Sequence, residues 1–243
     1  MVKKTQQLTL PISSSELPSF ENFVIGDNLE AVLALKQLSE KSNTSSKAQL
    51  IYVHGQQGCG VSHLLQATVD FACQQGINAL YFDLSEKALS PKMLQGLESY
   101  ELVCLDDVAA VVGGSIMFER EAEWEEALFH LFNHLKDAGH QLVVGSSQLP
   151  QNLHVRLPDL VSRWDSMVRF HIMDISDQDK EQALIQRAKF AGLNLAPEVA
   201  KYLISRGSRN LNQLIANLDK LDQASLASKR AITIPLVKEV LGF

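Results

Sequence analysis

Positive charge is in short supply in this sequence. Its 22 lysines and arginines face 28 aspartates and glutamates, a formal net charge of −6, and proteins with a dominant nucleic-acid footprint are usually basic. Strong direct DNA binding is therefore not expected, although a local basic patch is compatible with this balance. A nucleotide or a protein partner fits it better. Cysteine is scarce as well. Cys59, Cys73 and Cys104 are an odd, scattered set without metal-site spacing, which suits reduced thiols in a cytosol. Long apolar runs are missing, so no membrane span is expected. The N-terminus lacks the apolar stretch of a secretory signal, so a cytoplasmic location is expected rather than export. Internal repeats and low-complexity tracts are absent too. What remains is a 243-residue chain of 46% hydrophobic content, enough for one large domain or a domain plus a small appendage.

The stretch IYVHGQQGCGVSH, Ile51 to His63, carries the strongest local signal. An apolar run (Leu50, Ile51, Tyr52, Val53) predicts a buried strand, Gly55, Gly58 and Gly60 a turn, and Ser62 to Ala67 the opening of a helix. Strand, glycine turn and helix N-terminus are what a phosphate-binding P-loop requires. Glycine lets the backbone wrap closely around an anion, and the free N–H groups of the helix end point at it. Against G-x-x-x-x-G-K-[ST], however, Val61 stands where the lysine should be. Valine cannot reach the outer phosphates as a point charge. The pattern therefore predicts diphosphate binding without efficient hydrolysis, with Ser62 as a candidate metal ligand. On the turn alone, a strand-to-helix connection without a ligand is the alternative.

Residues 1–19 are expected to form a flexible arm, since Ser13, Ser14, Ser15 and two prolines discourage a helix. Within it, Leu8, Leu10 and Ile12 alternate on a segment stiffened by Pro11, with Gln7 as a polar anchor. Such a segment can dock into apolar pockets of a partner, or pack on its own domain. Phe20 to Gly26 leads into the folded region, with Asp27 or Asn28 as the cap of a helix whose stripe is Leu29, Val32, Leu33, Leu35 and Leu38. Strands are predicted at Ala79–Phe82, Leu102–Asp107, Gln141–Ser147 and Met167–His171, with a long helix at roughly Phe118–Asp137. This alternation predicts an α/β fold, a parallel sheet flanked by helices with its ligand at the strands' C-terminal ends. From about Ser176 the strands stop. Helices at Asp177–Ala191, Pro197–Ser205, Arg209–Leu226 and Ile234–Leu241 predict a small all-helical lid. The expected division is an arm at 1–19, a nucleotide-binding domain at 20–175 and a lid at 176–243.

Asp106 and Asp107 end a buried strand, where carboxylates commonly hold Mg²⁺ directly or through water. Two solvated aspartates capping a turn are the alternative. His130 and His134 lie one helical turn apart but lack the glutamate of HExxH, and are expected at or near the surface. Glu119, Glu121, Glu123, Glu125 and Glu126 are expected to form a solvated helix face.

Taken together, the FENFVIGDN segment, GQQGCGVSHLL, the LDD and SSQ strand ends, LPDLVSRW and a helical lid resemble the AAA+ ATPase module of the DnaA initiator family. The likeness extends over essentially the whole chain. It is closer to the DnaA-related regulators of the Hda family, whose members lack the terminal DNA-binding domain; this chain likewise ends at Phe243. The QLTLPI arm resembles the clamp-binding motif of that family. The resemblance implies that Phe23, Val24 and Ile25 line the base side of a nucleotide, and that the backbone of Gly58, Cys59, Gly60, Val61, Ser62 and His63 holds its phosphates. It implies that Asp106 and Asp107 are the Walker B carboxylates, the second being an aspartate where glutamate is usual. Mg²⁺ would then meet Ser62 and Asp106. Ser146 and Ser147 fall near sensor 1, and Arg209 matches the sensor 2 arginine.

Arg163 falls where the family carries its arginine finger, a group worth about 10³–10⁵ in rate when it reaches a γ-phosphate. Left alone, it would pair with Asp159 or Asp165. Trp164 beside it is expected in the core. The implied cofactor is ADP or another nucleoside diphosphate. The implied partners are DnaA and the sliding clamp (beta subunit) of DNA polymerase III, reached through Gln7, Leu8, Leu10, Pro11 and Ile12. Self-association through AAA+ faces is left open. The implied function is an adaptor that stimulates ATP hydrolysis by DnaA and so restrains replication initiation. The alternatives are an autonomous P-loop ATPase or helicase-loading factor, which Val61 disfavours, and a DNA-binding regulator, which the acidic balance disfavours.

Overall fold

The structure is a computed structural model that describes residues 17–40, 48–86, 88–114, 118–208, 210–228 and 230–243. Five strands, β1 (Leu50–Gly55), β2 (Ala79–Asp83), β3 (Leu102–Asp106), β4 (Gln141–Ser146) and β5 (Val168–Ile172), form one sheet in the order β2-β3-β4-β1-β5. Every pairing is parallel. The central strands are nearly continuous apolar runs because both faces of the sheet are covered, and β3 is buried from end to end.

Successive residues of a strand point to opposite faces, so each strand feeds two cores. Ile51, Val53, Leu102, Cys104 and Val143 pack with α1 (Leu29–Leu38) and α2 (Val61–Gln74). Tyr52, Val103, Leu105, Leu142 and Val144 pack with α3 (Phe118–Ala138) and α4 (Pro158–Asp165). After β5 the chain is helical: α5 (Asp177–Phe190), α6 (Pro197–Arg206), α7 (Leu211–Ser228) and α8 (Ile234–Leu241) enclose a separate apolar cluster centred on Leu184, Leu203, Leu214 and Leu221. The α/β sheet with flanking helices and a C-terminal helical bundle is thus the predicted architecture. Among the described residues no helix is long and apolar enough to cross a membrane.

Three local expectations are corrected. Asn28 precedes α1 but makes no side-chain cap; its carboxamide instead donates to the Met173 carbonyl (3.0 Å) and accepts from the Met173 N–H (2.8 Å), tying the start of α1 to the end of β5. The helix expected from Arg209 begins at Leu211, because Asn210 Oδ1 takes the amides of Asn212 and Gln213 at 2.9 and 3.3 Å. The acidic run of α3 is not a uniformly solvated face. Glu123 and Glu126 are exposed, but Glu121 and Glu125 are each only 2% exposed. Their spacing places them on the same stripe as Trp124, Leu128, Phe132 and Leu135, which faces the sheet. His130 and His134 are exposed, as expected.

Candidate functional site

The glycine turn runs from the end of β1 at Gly55 to the start of α2 at Val61. Gly58 (φ +89°) and Gly60 (φ +108°) adopt backbone that side-chain-bearing residues avoid. Both are also crowded from outside. A Cβ on Gly60 would lie 2.7 Å from the Phe23 ring, and one on Gly58 would overlap the carboxamide of Asn210. The turn is therefore held between the segment before α1 and the start of α7. His63, in the first turn of α2, fixes the first of these walls: its Nε2–H donates to the Ser19 carbonyl at 2.9 Å, and its ring lies 5.4 Å from that of Phe23. Burial pushes the imidazole below its ordinary pKa, which favours this neutral donor form.

A cavity of about 870 Å³ opens between these walls. Phe23, Val24 and Ile25 line one side, Gly58, Cys59, Gly60 and His63 the floor, and residues of α5 and α7, among them Asp179, Gln186, Arg187, Asn212 and Ile215, the other side. The lid wall is anchored by Lys180, a buried lysine whose Nζ meets Asp174 Oδ2 at 2.8 Å. Helix-end amides beside the glycine turn and an apolar wall of Phe23, Ile25 and Ile215 fit a nucleotide in size and chemistry.

Val61 and Ser62 do not line this cavity. Val61 is buried, and its Cγ1, Leu65 Cδ2 and Asp106 Oδ1 would lie 3.1, 2.8 and 2.8 Å from a Cβ placed on Gly145. Only glycine at that point of β4 lets α2 and the end of β3 close on the sheet. Ser62 is exposed. Asp106 is buried and already engaged: Tyr81 Oη donates to Oδ2 at 2.7 Å and the Asp107 amide to Oδ1 at 2.9 Å. Burial, with Asp106 beside it, raises the Tyr81 phenol pKa, so this donor stays protonated. Asp107 is the one non-glycine residue of positive φ (+49°) among the described residues. Burial, then the charges of Asp106 and Asp83, push its carboxyl above the ordinary range. No cluster of three or more His, Cys, Asp or Glu able to hold a metal occurs among the described residues. The two oxygens expected to meet Mg²⁺ differ in setting: Ser62 is exposed, while both carboxylate oxygens of Asp106 already accept hydrogen bonds.

Ser146 is buried at the end of β4 and takes the Gln148 amide at 3.2 Å; Ser147 is exposed. Neither reaches the cavity. Arg209 and the Gln7, Leu8, Leu10, Pro11 and Ile12 segment lie outside the described residues.

Arg163 sits in the last turn of α4, apart from the cavity. Trp164 next to it is in the core, its ring 6.1 Å from that of Tyr52. The guanidinium lies over the Phe129 ring of α3, 5.9 Å from its centroid, and Nε is buried without a hydrogen-bond partner. The expected pairing with Asp159 or Asp165 does not form among the described residues. Asp165 is occupied by Gln151 (2.6 Å) and Arg169 (3.5 Å).

Sequence reasoning missed the lid wall. Asp179 was detectable as the second half of a capping box with Ser176, but nothing in the sequence says which face of α5 or α7 meets the turn.

Residues 16–170 match the family model of the bacterial DnaA ATPase domain, and residues 177–241 match the lid domain of Hda. Solved structures agree on the fold. Domain III of the replication initiation protein DnaA from Thermotoga maritima superposes with a TM-score of 0.76 at 21% identity, covering 92% of this chain and 95% of that one. AMPPCP-bound DnaA from Aquifex aeolicus gives 0.70 at 25% identity, over 86% of this chain and 66% of that one. The RuvB Holliday junction branch migration motor of Thermotoga maritima gives 0.68 at 14% identity, over 93% and 71%. A P-loop-type turn on a five-stranded parallel sheet, an Hda-type lid and a DnaA ATPase-domain match over residues 16–170 place this chain in the DnaA family, as an Hda-like AAA+ protein.

Proposed function

We propose that the protein is a nucleotide-bound adaptor that binds the sliding clamp through Gln7–Ile12 and stimulates ATP hydrolysis by DnaA, restraining replication initiation. One observation carries this reading: Arg163 holds a buried Nε without a partner, with its guanidinium over Phe129 and no carboxylate neutralising it among the described residues. A buried donor without an acceptor is costly unless something supplies one. Nε is closed off within this chain, but the residue as a whole is only half-buried, and its planar, always-charged guanidinium suits a partner's γ-phosphate. Arg163 donating to that phosphate would offset charge developing on the transferred group.

In the chain's own site, the backbone from Gly58 to His63 would hold a diphosphate, with Phe23, Val24 and Ile25 against the base. Bound there, the nucleotide, most simply ADP, would be structural or regulatory. AMPPCP-bound DnaA, similar to this chain over 86% of its length, supports a nucleotide in this cavity. Val61 supports weak intrinsic hydrolysis, because its side chain is built into the core where a lysine would be needed to face phosphate.

The test is hydrolysis of DnaA-bound ATP in the presence of DNA-loaded clamp, with this protein's own turnover as blank. Stimulation over a silent blank is expected, and Arg163→Ala should abolish it without loss of fold. Full stimulation by Arg163→Ala would overturn the finger. Intact clamp binding after deletion of residues 1–12 would overturn the tether.

A further inference from the structure

His54 and His171 are each the next-to-last residue of their strand, β1 and β5. The parallel register sets them opposite each other, so both side chains leave the same face of the sheet. Their rings stack, with centroids 4.8 Å apart and planes 10° from parallel. Tyr52, two residues before His54 on the same face, has its ring 6.4 Å away. The polar neighbours of the pair are engaged elsewhere. Ser146 is in register with His54 on the β4 side, and its hydroxyl takes the Gln148 amide. Arg169, two residues before His171, reaches Asp165 at 3.5 Å. The two imidazoles, by contrast, make no hydrogen bond among the described residues. Nor are their nitrogens sealed in. Arg163 Nε is the buried side-chain polar atom that lacks a partner there, whereas His171 is exposed and His54 half-buried. Burial, then the charges of His171 and Arg169, push His54 below its ordinary pKa, toward the neutral ring that offers a lone pair. An anion would need protonated rings; neutral imidazoles suit Zn²⁺, Cu²⁺ or Ni²⁺, and not a hard ion such as Mg²⁺. Zn–N bonds of about 2.0–2.1 Å require the two rings to tilt toward a common point, and rings without hydrogen bonds at the surface are free to do so.

We propose that His54 and His171 form a two-imidazole site for a divalent transition-metal ion of the Zn²⁺ class, its remaining positions filled by water. The ion ties β5 to β1. β5 is the edge of the sheet, paired with β1 alone among the described residues. It runs through Met173, whose backbone Asn28 holds, into the first helix of the lid. Metal binding therefore braces the strand from which the lid hangs, and stabilises the folded chain by linkage.

The test is calorimetric titration of the tag-free full chain with ZnCl₂ in the absence of nucleotide, with the melting temperature followed alongside. It compares the unaltered chain with His54→Phe, His171→Phe and His130→Ala. Phenylalanine keeps a flat ring in the stack and removes the lone pairs, so a loss of binding reports on the nitrogens and not on the packing. His130 is the control: its ring lies 6.3 Å from that of His134, one turn along α3, as a second histidine pair. Expected are a Zn²⁺-induced rise in melting temperature of the unaltered chain, loss of that rise in each phenylalanine variant with a Kd raised about tenfold or more, and no change in His130→Ala. Excess Mg²⁺ should leave the Zn²⁺ Kd where it is. Equal Zn²⁺ affinity in the unaltered chain and both phenylalanine variants would overturn the site. So would loss of binding in His130→Ala alone, or an unaltered chain that takes up no Zn²⁺.

Discussion

Glu125, buried in α3, accepts the backbone N–H of Leu157 at 2.8 Å, and both its oxygens take the N–H of Arg156 at 3.1 Å. Leu157 is the cap position of α4 and has no side-chain cap of its own. A carboxylate on a neighbouring helix thus does what a Ser or Asp would do locally, and the helix it orders carries Arg163. Removing it with Glu125→Ala leaves two part-buried amides without this acceptor, at a cost of about 1 kcal/mol. Thermal denaturation should show that loss, with Glu125→Gln intermediate because one acceptor oxygen survives. Stimulation of a partner's hydrolysis should fall in parallel.

Val61→Lys tests the consequence of the missing lysine. The substitution removes a buried side chain packed near Leu65 and Gly145, so a lower melting temperature is expected, on the order of 1 kcal/mol of stability for the lost packing. If the ammonium reaches the turn, affinity for ATP should rise relative to ADP in calorimetry. An unchanged ratio would show that the loop's geometry, not its charge, sets the preference.

Gly60→Ala should be among the least tolerated single changes at the turn. At φ +108° a side chain is strained, by about 1–2 kcal/mol, and the new methyl meets the Phe23 ring. A drop in melting temperature and weaker ADP binding are expected together, since one loop conformation serves both. Full ADP affinity in a destabilised variant would separate them.

Asp107 gives a pH dependence of unusual sign. Its carboxyl titrates above the ordinary 3.8 in the folded chain, chiefly through burial, so the folded state keeps a proton that the unfolded chain has released. Stability from this group is therefore present below pH 3.8 and lost as pH rises through the raised value. Asp107→Asn removes that loss, and asparagine tolerates the left-handed backbone there. The variant should melt higher than the unaltered chain at pH 7, with the difference vanishing as pH falls below 3.8.

The alternation of apolar strands with amphipathic helices, the glycines of the turn and the change to an all-helical C-terminus are local properties. The periods of side-chain direction in strand and helix suffice to read them. So is the chemical departure at Val61. What lay beyond local reading depended on residues distant in sequence. Glu125 was indistinguishable from Glu123 in an acidic run until packing set one against Leu157 and left the other in water. Asn28 was a plausible cap until the end of β5 offered it both backbone groups of Met173. Arg163 was adjacent to acidic partners in sequence, yet Asp165 was drawn to Gln151 and Arg169, and the guanidinium was left over Phe129. Likewise the cavity has a wall from α5 and α7 because the C-terminal helices fold back over a turn more than a hundred residues earlier. Periodicity states which face of a helix is apolar. Only tertiary packing decides which neighbour that face meets, and therefore which polar groups end without a partner.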